Sequence, residues 1–277
     1  MKKNVLLVFV LLLPFIGAEA IAQKPYEMPR TQVVPILDTK SDRQYELYIK
    51  LPEDYGKNPD QKHPVIYTVD AKWHMDMLSG STEYLMPNVI LVGISWQKDL
   101  DEEREHVSRF RDYSLVERAG SKNPRGQASN HLSFIRDDIV KFVETNYRAD
   151  PDERTFFGYS LGVQLGAYIL FAQPDTFKNY IFGSPAFSER SGKYIDELEA
   201  KMAPRQPILN ANVFVSLGEL EESEMGTVED FVSVLQRRSQ SGLKLTGLEI
   251  IEDSDHGAAF PATAIRSIKW LSQLTSK

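Results

Sequence analysis

Residues 154 to 171 read RTFFGYSLGVQLGAYILF, and the way this stretch folds decides the fold of the chain. Arg154 to Tyr159 is short and rich in aromatic residues, a strand candidate. Leu161 to Phe171 is apolar, small and free of proline, as a buried helix is. Between them lies Gly158-Tyr159-Ser160-Leu161-Gly162, a G-x-S-x-G pattern set between strand and helix. A serine on such a sharp turn needs small neighbours, because the backbone is strained and other chain passes close, and glycine tolerates both conditions. The pentapeptide alone occurs in many unrelated chains, so its setting carries the meaning.

Working outward, Leu132, Ile135, Ile139, Val143 and Tyr147 recur every three or four positions and predict an amphipathic helix from Leu132 to Tyr147. Val65 to Val69, Val89 to Ile94, Tyr180 to Phe182, Val213 to Leu217 and Leu248 to Ile251 are apolar runs that predict buried strands. Val228 to Arg237 and Ala262 to Leu274 are helical in pattern. Strands alternating with helices predict an α/β fold with a mostly parallel central sheet and helices on both faces. Gln97 to Asn130, polar and highly charged, is expected to be an insertion carrying a lid or substrate loop.

The first 22 residues have the form of a secretory leader. Lys2 and Lys3 precede an apolar run from Val5 to Ile16, and small-residue cleavage options follow at Ala18-Glu19-Ala20 and Ala20-Ile21-Ala22. That run is shorter than the roughly 20 residues a membrane-spanning helix needs, so no stable membrane anchor is expected. The mature chain, from residue 23, is expected to be a single domain in the periplasm or outside the cell. Losing Lys2, Lys3 and Glu19 takes the net charge from −7 to −8. A polyanion binder needs the opposite surplus, so nucleic acid is not an expected partner. The chain contains no cysteine, which excludes a thiol nucleophile and a disulfide framework.

A serine hydroxyl needs a base, and histidine has a pKa suited to the task. Of His63, His74, His106, His131 and His256, only His256 follows Ser160, as the order nucleophile, acid, base requires. A carboxylate should orient the imidazole from the loop after Val213 to Leu217, where Glu219, Glu221 and Glu222 all stand. Glu221, three residues past Gly218, has the commoner offset. One oxyanion-hole amide belongs to the residue after the nucleophile, Leu161, and the second to Ala71 or Lys72 in the loop after Val65 to Val69. A metal alternative would use His74, Asp76 and His106, at a spacing that matches no familiar zinc motif.

These residues resemble an esterase family of α/β-hydrolases that includes esterase D-type enzymes, enterochelin (siderophore) esterases, feruloyl esterases and mycolyltransferases. The resemblance runs from Gln32 to Leu274. It is carried by Pro64 to Asp70, Val92-Gly93-Ile94, Phe110-Arg111-Asp112-Tyr113, Phe134 to Tyr147, the Gly158 to Gly162 turn and Ser184-Pro185. It implies the α/β-hydrolase fold, a triad of Ser160, Glu221 and His256, an oxyanion hole from the amides of Leu161 and Lys72, and no cofactor or metal. Two departures bear on pocket shape: Ala71 replaces the usual glycine of an Asp-Gly loop, and Val163 replaces a second glycine after the turn. Some siderophore esterases of this kind are described as using a serine–histidine dyad, which leaves Glu221 the least constrained of the three.

The resemblance implies hydrolysis of an ester, either a small siderophore-type molecule or a feruloyl or acetyl ester on a polysaccharide. An acyltransferase, or a binding protein that has lost catalysis, fits the same fold. Arg104, Arg109, Arg111 and Arg118 crowd the insertion, where they are expected to pair with neighbouring carboxylates rather than meet an anionic substrate.

Overall fold

The computed structural model describes residues 26–117, 120–122 and 124–275. The expected leader and Arg118 lie outside these residues. Eight strands form one sheet: β1 (Thr31–Asp38), β2 (Arg43–Lys50), β3 (His63–Thr68), β4 (Ile90–Ile94), β5 (Ala149–Tyr159), β6 (Asn179–Gly183), β7 (Asn212–Gly218) and β8 (Lys244–Ile251). Their order across the sheet is β1-β2-β4-β3-β5-β6-β7-β8. β2 pairs antiparallel with β1 and with β4, and every later pairing is parallel.

The helices are α1 (Ala71–Leu85), α2 (Glu102–Glu105), α3 (Ser108–Tyr113), α4 (Ala128–Phe134), α5 (Lys141–Asn146), α6 (Gly162–Ala172), α7 (Glu189–Met202), α8 (Glu222–Gln236) and α9 (Ala259–Thr275). This is the α/β-hydrolase fold expected from the sequence. Each strand predicted there is present, and the predicted strand before Ser160 begins earlier, at Ala149. The single helix predicted over Leu132 to Tyr147 is a longer rod in which a π turn, Ile135–Val140, joins α4 to α5. Asp138 in that turn accepts from the hydroxyl of Thr39 at 2.8 Å, and Asp137 pairs with Lys40, so the rod grips the β1–β2 turn.

Strands buried on both faces read as continuous apolar runs, and β4 and β6 are buried at every position. One face carries Ile66, Leu91, Phe157, Ile181 and Phe214 into a layer formed by Met75 and Leu78 of α1 and Ile268 and Leu271 of α9. The other carries Val65, Tyr67, Phe156, Tyr180 and Val213 against helices α3 to α8. Burying an aliphatic or aromatic side chain of this size contributes about 1.5–3 kcal/mol, so the two layers together fix the sheet as a rigid platform. The loops that follow β3, β5, β6, β7 and β8 all leave from its C-terminal edge, where open α/β sheets bind ligands.

Candidate active site

Three neighbouring strands end in a strained residue at this edge. Asp70 after β3, Ser160 after β5 and Ser184 after β6 have φ of 56°, 55° and 40°, in the left-handed region that side chains rarely occupy. Ser160 is held there because its amide donates to the Gly183 carbonyl at 2.9 Å while its own carbonyl accepts from Val163 at 3.1 Å. The two flanking glycines are obligatory. A methyl on Gly158 would lie 2.8 Å from the Gly162 carbonyl oxygen, and one on Gly162 would lie 2.9 Å from the Val69 side chain. The turn therefore forms as its sequence predicts, and it abuts the β3 loop.

The three candidate glutamates are separated by what they touch. Glu221 is buried, and its Oε2 lies 2.5 Å from Nδ1 of His256, which donates to it. Its Oε1 accepts from the Gly218 amide at 2.9 Å and from the Ser184 hydroxyl at 2.6 Å. Burial raises the pKa of this carboxyl, but the hydrogen bonds from His256, Ser184 and Gly218 outweigh it, and the net displacement is downward. Glu219 instead accepts from the Asp253 amide at 2.8 Å, and Glu222 is exposed at the start of α8.

His256 sits in the loop between β8 and α9 with its ring half exposed. Its carbonyl accepts from the hydroxyl of Tyr159 at 2.5 Å, and the two rings lie 5.2 Å apart. Tyr159 immediately precedes Ser160, so the histidine loop is tied to the turn that carries the serine.

On the other side, the stretch Asp70 to His74, expected to be a loop, is the start of a helix. α1 begins at Ala71 directly after the left-handed Asp70. The first turn of a helix leaves its amides without partners inside the helix. Lys72 occupies the first turn of α1 and Leu161 the N-cap of α6, so both predicted oxyanion donors are helix-terminal amides. The Lys72 side chain is exposed, 3.8 Å from Glu102. Ala71 fits where a glycine is usual because β4 provides Gly93 opposite it; a methyl there would lie 2.8 Å from the Ala71 Cβ.

Asp70 is fully buried and gripped by Arg109 in a two-toothed ion pair, Nε to Oδ1 at 2.8 Å and a terminal nitrogen to Oδ2 at 2.7 Å. The Trp96 indole also donates to Oδ1, at 2.6 Å. Arg104 pairs with Asp101 and Arg111 with Asp112. The expectation that the arginines of the insertion are paired holds for these two, while the partner of Arg109 comes from the turn after β3 rather than from the insertion. Nor is the insertion polar throughout: Arg109, Arg111, Asp112 and Tyr113 are buried, and α3 packs into the core.

A cavity of about 570 Å³ opens beside Leu161, lined also by Gln164, Ala186, Phe187, Arg125 and Glu117. Arg125 lays its guanidinium over the Phe110 ring at 4.8 Å. Sequence reasoning missed Arg125, since an isolated arginine in a polar stretch carries no spacing signal; Trp73, within the stretch after β3 whose side chains are expected to line the pocket, is half exposed and edge-on to Trp96 at 4.7 Å. The alternative metal ligands are not brought together. His74 bonds the Val69 carbonyl and stacks on Phe260, its pKa lowered by burial, whereas His106 packs on Trp73. Among the described residues no group of three or more His, Cys, Asp or Glu could hold a metal ion, and no helix is long and apolar enough to cross a membrane.

The sheet order, the strained serine turn and the Glu221–His256 pair define an α/β-hydrolase. Residues 39–239 match the model of the family described as "Putative esterase"; the chain belongs to that family and is a carboxylic-ester hydrolase. It is similar to the ferri-bacillibactin esterase BesA of Bacillus subtilis (strain 168), with 26% identity over 274 residues, covering 88% of this chain and 90% of that protein. The BES protein from Bacillus cereus superposes with a TM-score of 0.79 at 20% identity, over 91% of this chain and 98% of the other. The siderophore hydrolase EstA from Aspergillus nidulans gives 0.71 at 18%, over 92% and 99%. At these identities the two structures speak for the fold.

Proposed function

We propose that the chain is an exported serine esterase working through Ser160, His256 and Glu221. Ser160 Oγ attacks the ester carbonyl while Nε2 of His256 takes its proton. Glu221 fixes the ring through Nδ1 and stabilises the imidazolium that forms. The amides of Leu161 and Lys72 receive the oxyanion. The imidazolium returns the proton to the departing alcohol, leaving an acyl group on Ser160; water, deprotonated by His256, then releases the acid and restores the serine. The observation that carries this reading is the 2.5 Å bond between Glu221 and His256, in a loop tied to the residue before Ser160.

The leader-like pattern of Met1 to Ala22 supports export to the periplasm or outside the cell. The names of the similar proteins favour a siderophore-type ester as substrate over a feruloyl or acetyl polysaccharide ester. The test is hydrolysis of a short chromogenic acyl ester, and of a ferric trilactone siderophore, by the purified protein beside folded Ser160→Ala and His256→Ala variants. Activity that both variants lose supports the reading. Equal activity in all three rejects it. A parent inert toward every ester, with the siderophore bound, marks a binding protein; turnover that rises with an added alcohol marks an acyltransferase.

A further inference from the structure

Ser184 has no part in the steps above, yet its geometry is hard to explain as packing. It directly follows β6 with φ 40°, a backbone strained for a residue with a side chain, which persists only where the surrounding structure fixes it and which clusters at functional sites. It is also almost completely buried, so its hydroxyl must find a partner inside the protein. The amide of Ser184 is anchored on the Ser216 carbonyl at 2.8 Å, which aims the side chain across to β7. There Oγ lies 2.6 Å from Oε1 of Glu221. The hydroxyl of Tyr159 lies 2.9 Å from the same Oγ and 2.5 Å from the His256 carbonyl.

Each hydroxyl has a single proton to give. That of Ser184 goes to the carboxylate, the charged acceptor. That of Tyr159 is shared between two acceptors, the His256 carbonyl and the Ser184 oxygen, whose own proton is already committed to Glu221. A ring of contacts closes: His256 Nδ1 to Glu221, Glu221 to Ser184, Ser184 to Tyr159, and Tyr159 back to the His256 backbone. A carboxylate with one anchor can swing about it, whereas two donors on Oε1, from Ser184 and Gly218, leave Oε2 a single direction to face.

We propose that Ser184 is a positioning residue for the ester hydrolysis: its hydroxyl, backed by Tyr159, holds Glu221 so that Oε2 meets Nδ1 of His256. The proposal rests on the Ser160–His256–Glu221 reading.

Two variants of the full chain separate hydroxyl from backbone. Ser184→Ala keeps the Cβ, and Ser184→Gly accepts the left-handed φ without strain; both lack the donor. The low-field Nδ1–H proton resonance of His256, which reports its bond to Glu221, is read without substrate. In both variants it should move upfield or vanish, with kcat about tenfold lower and KM within about twofold of the parent. In a Glu221→Gln background, Ser184→Ala should cost nothing further, because it acts through Glu221. A resonance at its parent position in either folded variant overturns the proposal, and so does a loss that adds in full to that of Glu221→Gln. If instead Ser160→Ala retains hydrolysis, the mechanistic reading fails, while the resonance still reports whether Ser184 holds the Glu221–His256 pair.

Discussion

The two flanks of Ser160 are built in opposite ways. Toward β6, β7 and β8, the groups that would do chemistry are held by hydrogen bonds between loop tips, and His256 itself is half exposed. Toward β3, the loop that would supply an oxyanion amide is held by a buried ion pair, Asp70 with Arg109, whose two halves lie 39 positions apart in the chain. The first flank should keep its fold when the half-exposed His256 side chain is removed. The second should not tolerate loss of one partner of its buried pair, which leaves a charge without compensation.

That contrast is most exposed to test at its catalytic end. His256→Ala should lower kcat/KM by about 10⁴-fold or more while shifting the thermal midpoint little; a large fall in stability would mean that this flank is structural after all. Glu221→Gln should follow, with kcat down by about 10²- to 10⁴-fold, measured on the same ester. Arg109→Ala should act in the reverse sense, lowering unfolding free energy by about 3–5 kcal/mol in denaturant titration, with Asp70→Asn in the same chain restoring part of the loss.

Lys72 sharpens the point. Lys72→Ala should leave kcat within about threefold, since the proposed mechanism draws on the backbone amide alone, whereas Lys72→Pro removes that amide at a first-turn position where proline is tolerated and should cost about 10²- to 10³-fold. The smallest effect expected is on pH. A carboxyl held below its ordinary pKa contributes stability that is complete above the unfolded value and is lost as pH falls through the lower folded one. The thermal midpoint of the parent should therefore fall more steeply below about pH 4.5 than that of Glu221→Gln.

The same division governs what can be read from sequence. The serine turn is legible because its pattern is local, two glycines around a serine between a strand and a helix, even though only Gly158 is crowded by nearby chain, the Gly162 carbonyl, while Gly162 makes room for the distant Val69. Chain order selects His256, and the offset from Gly218 favours Glu221, but what separates Glu221 from Glu219 and Glu222 is the loops it reaches, which adjacent letters do not encode. β1 and β2 lack the unbroken apolar run that marks the central strands; in β2 the signal is alternation, with Tyr45, Leu47 and Ile49 buried and the less buried Glu46 and Tyr48 between. The start of α1 was hidden for another reason. Asp70 has no side-chain capping bond to announce the helix, because its carboxylate is engaged with Arg109 and Trp96.

Ala71 and Gly93 carry one more consequence. Their Cβ positions compete for the same space between α1 and β4, so the identity of one sets what the other is permitted to be. The two sites form an epistatic pair: Gly93→Ala should be harmful beside Ala71 and far milder after Ala71→Gly, once only the flexible Met75 sulfur stands in the way. Alanine at position 71 thus makes the absence of a side chain at 93 a condition of the packing between helix and sheet.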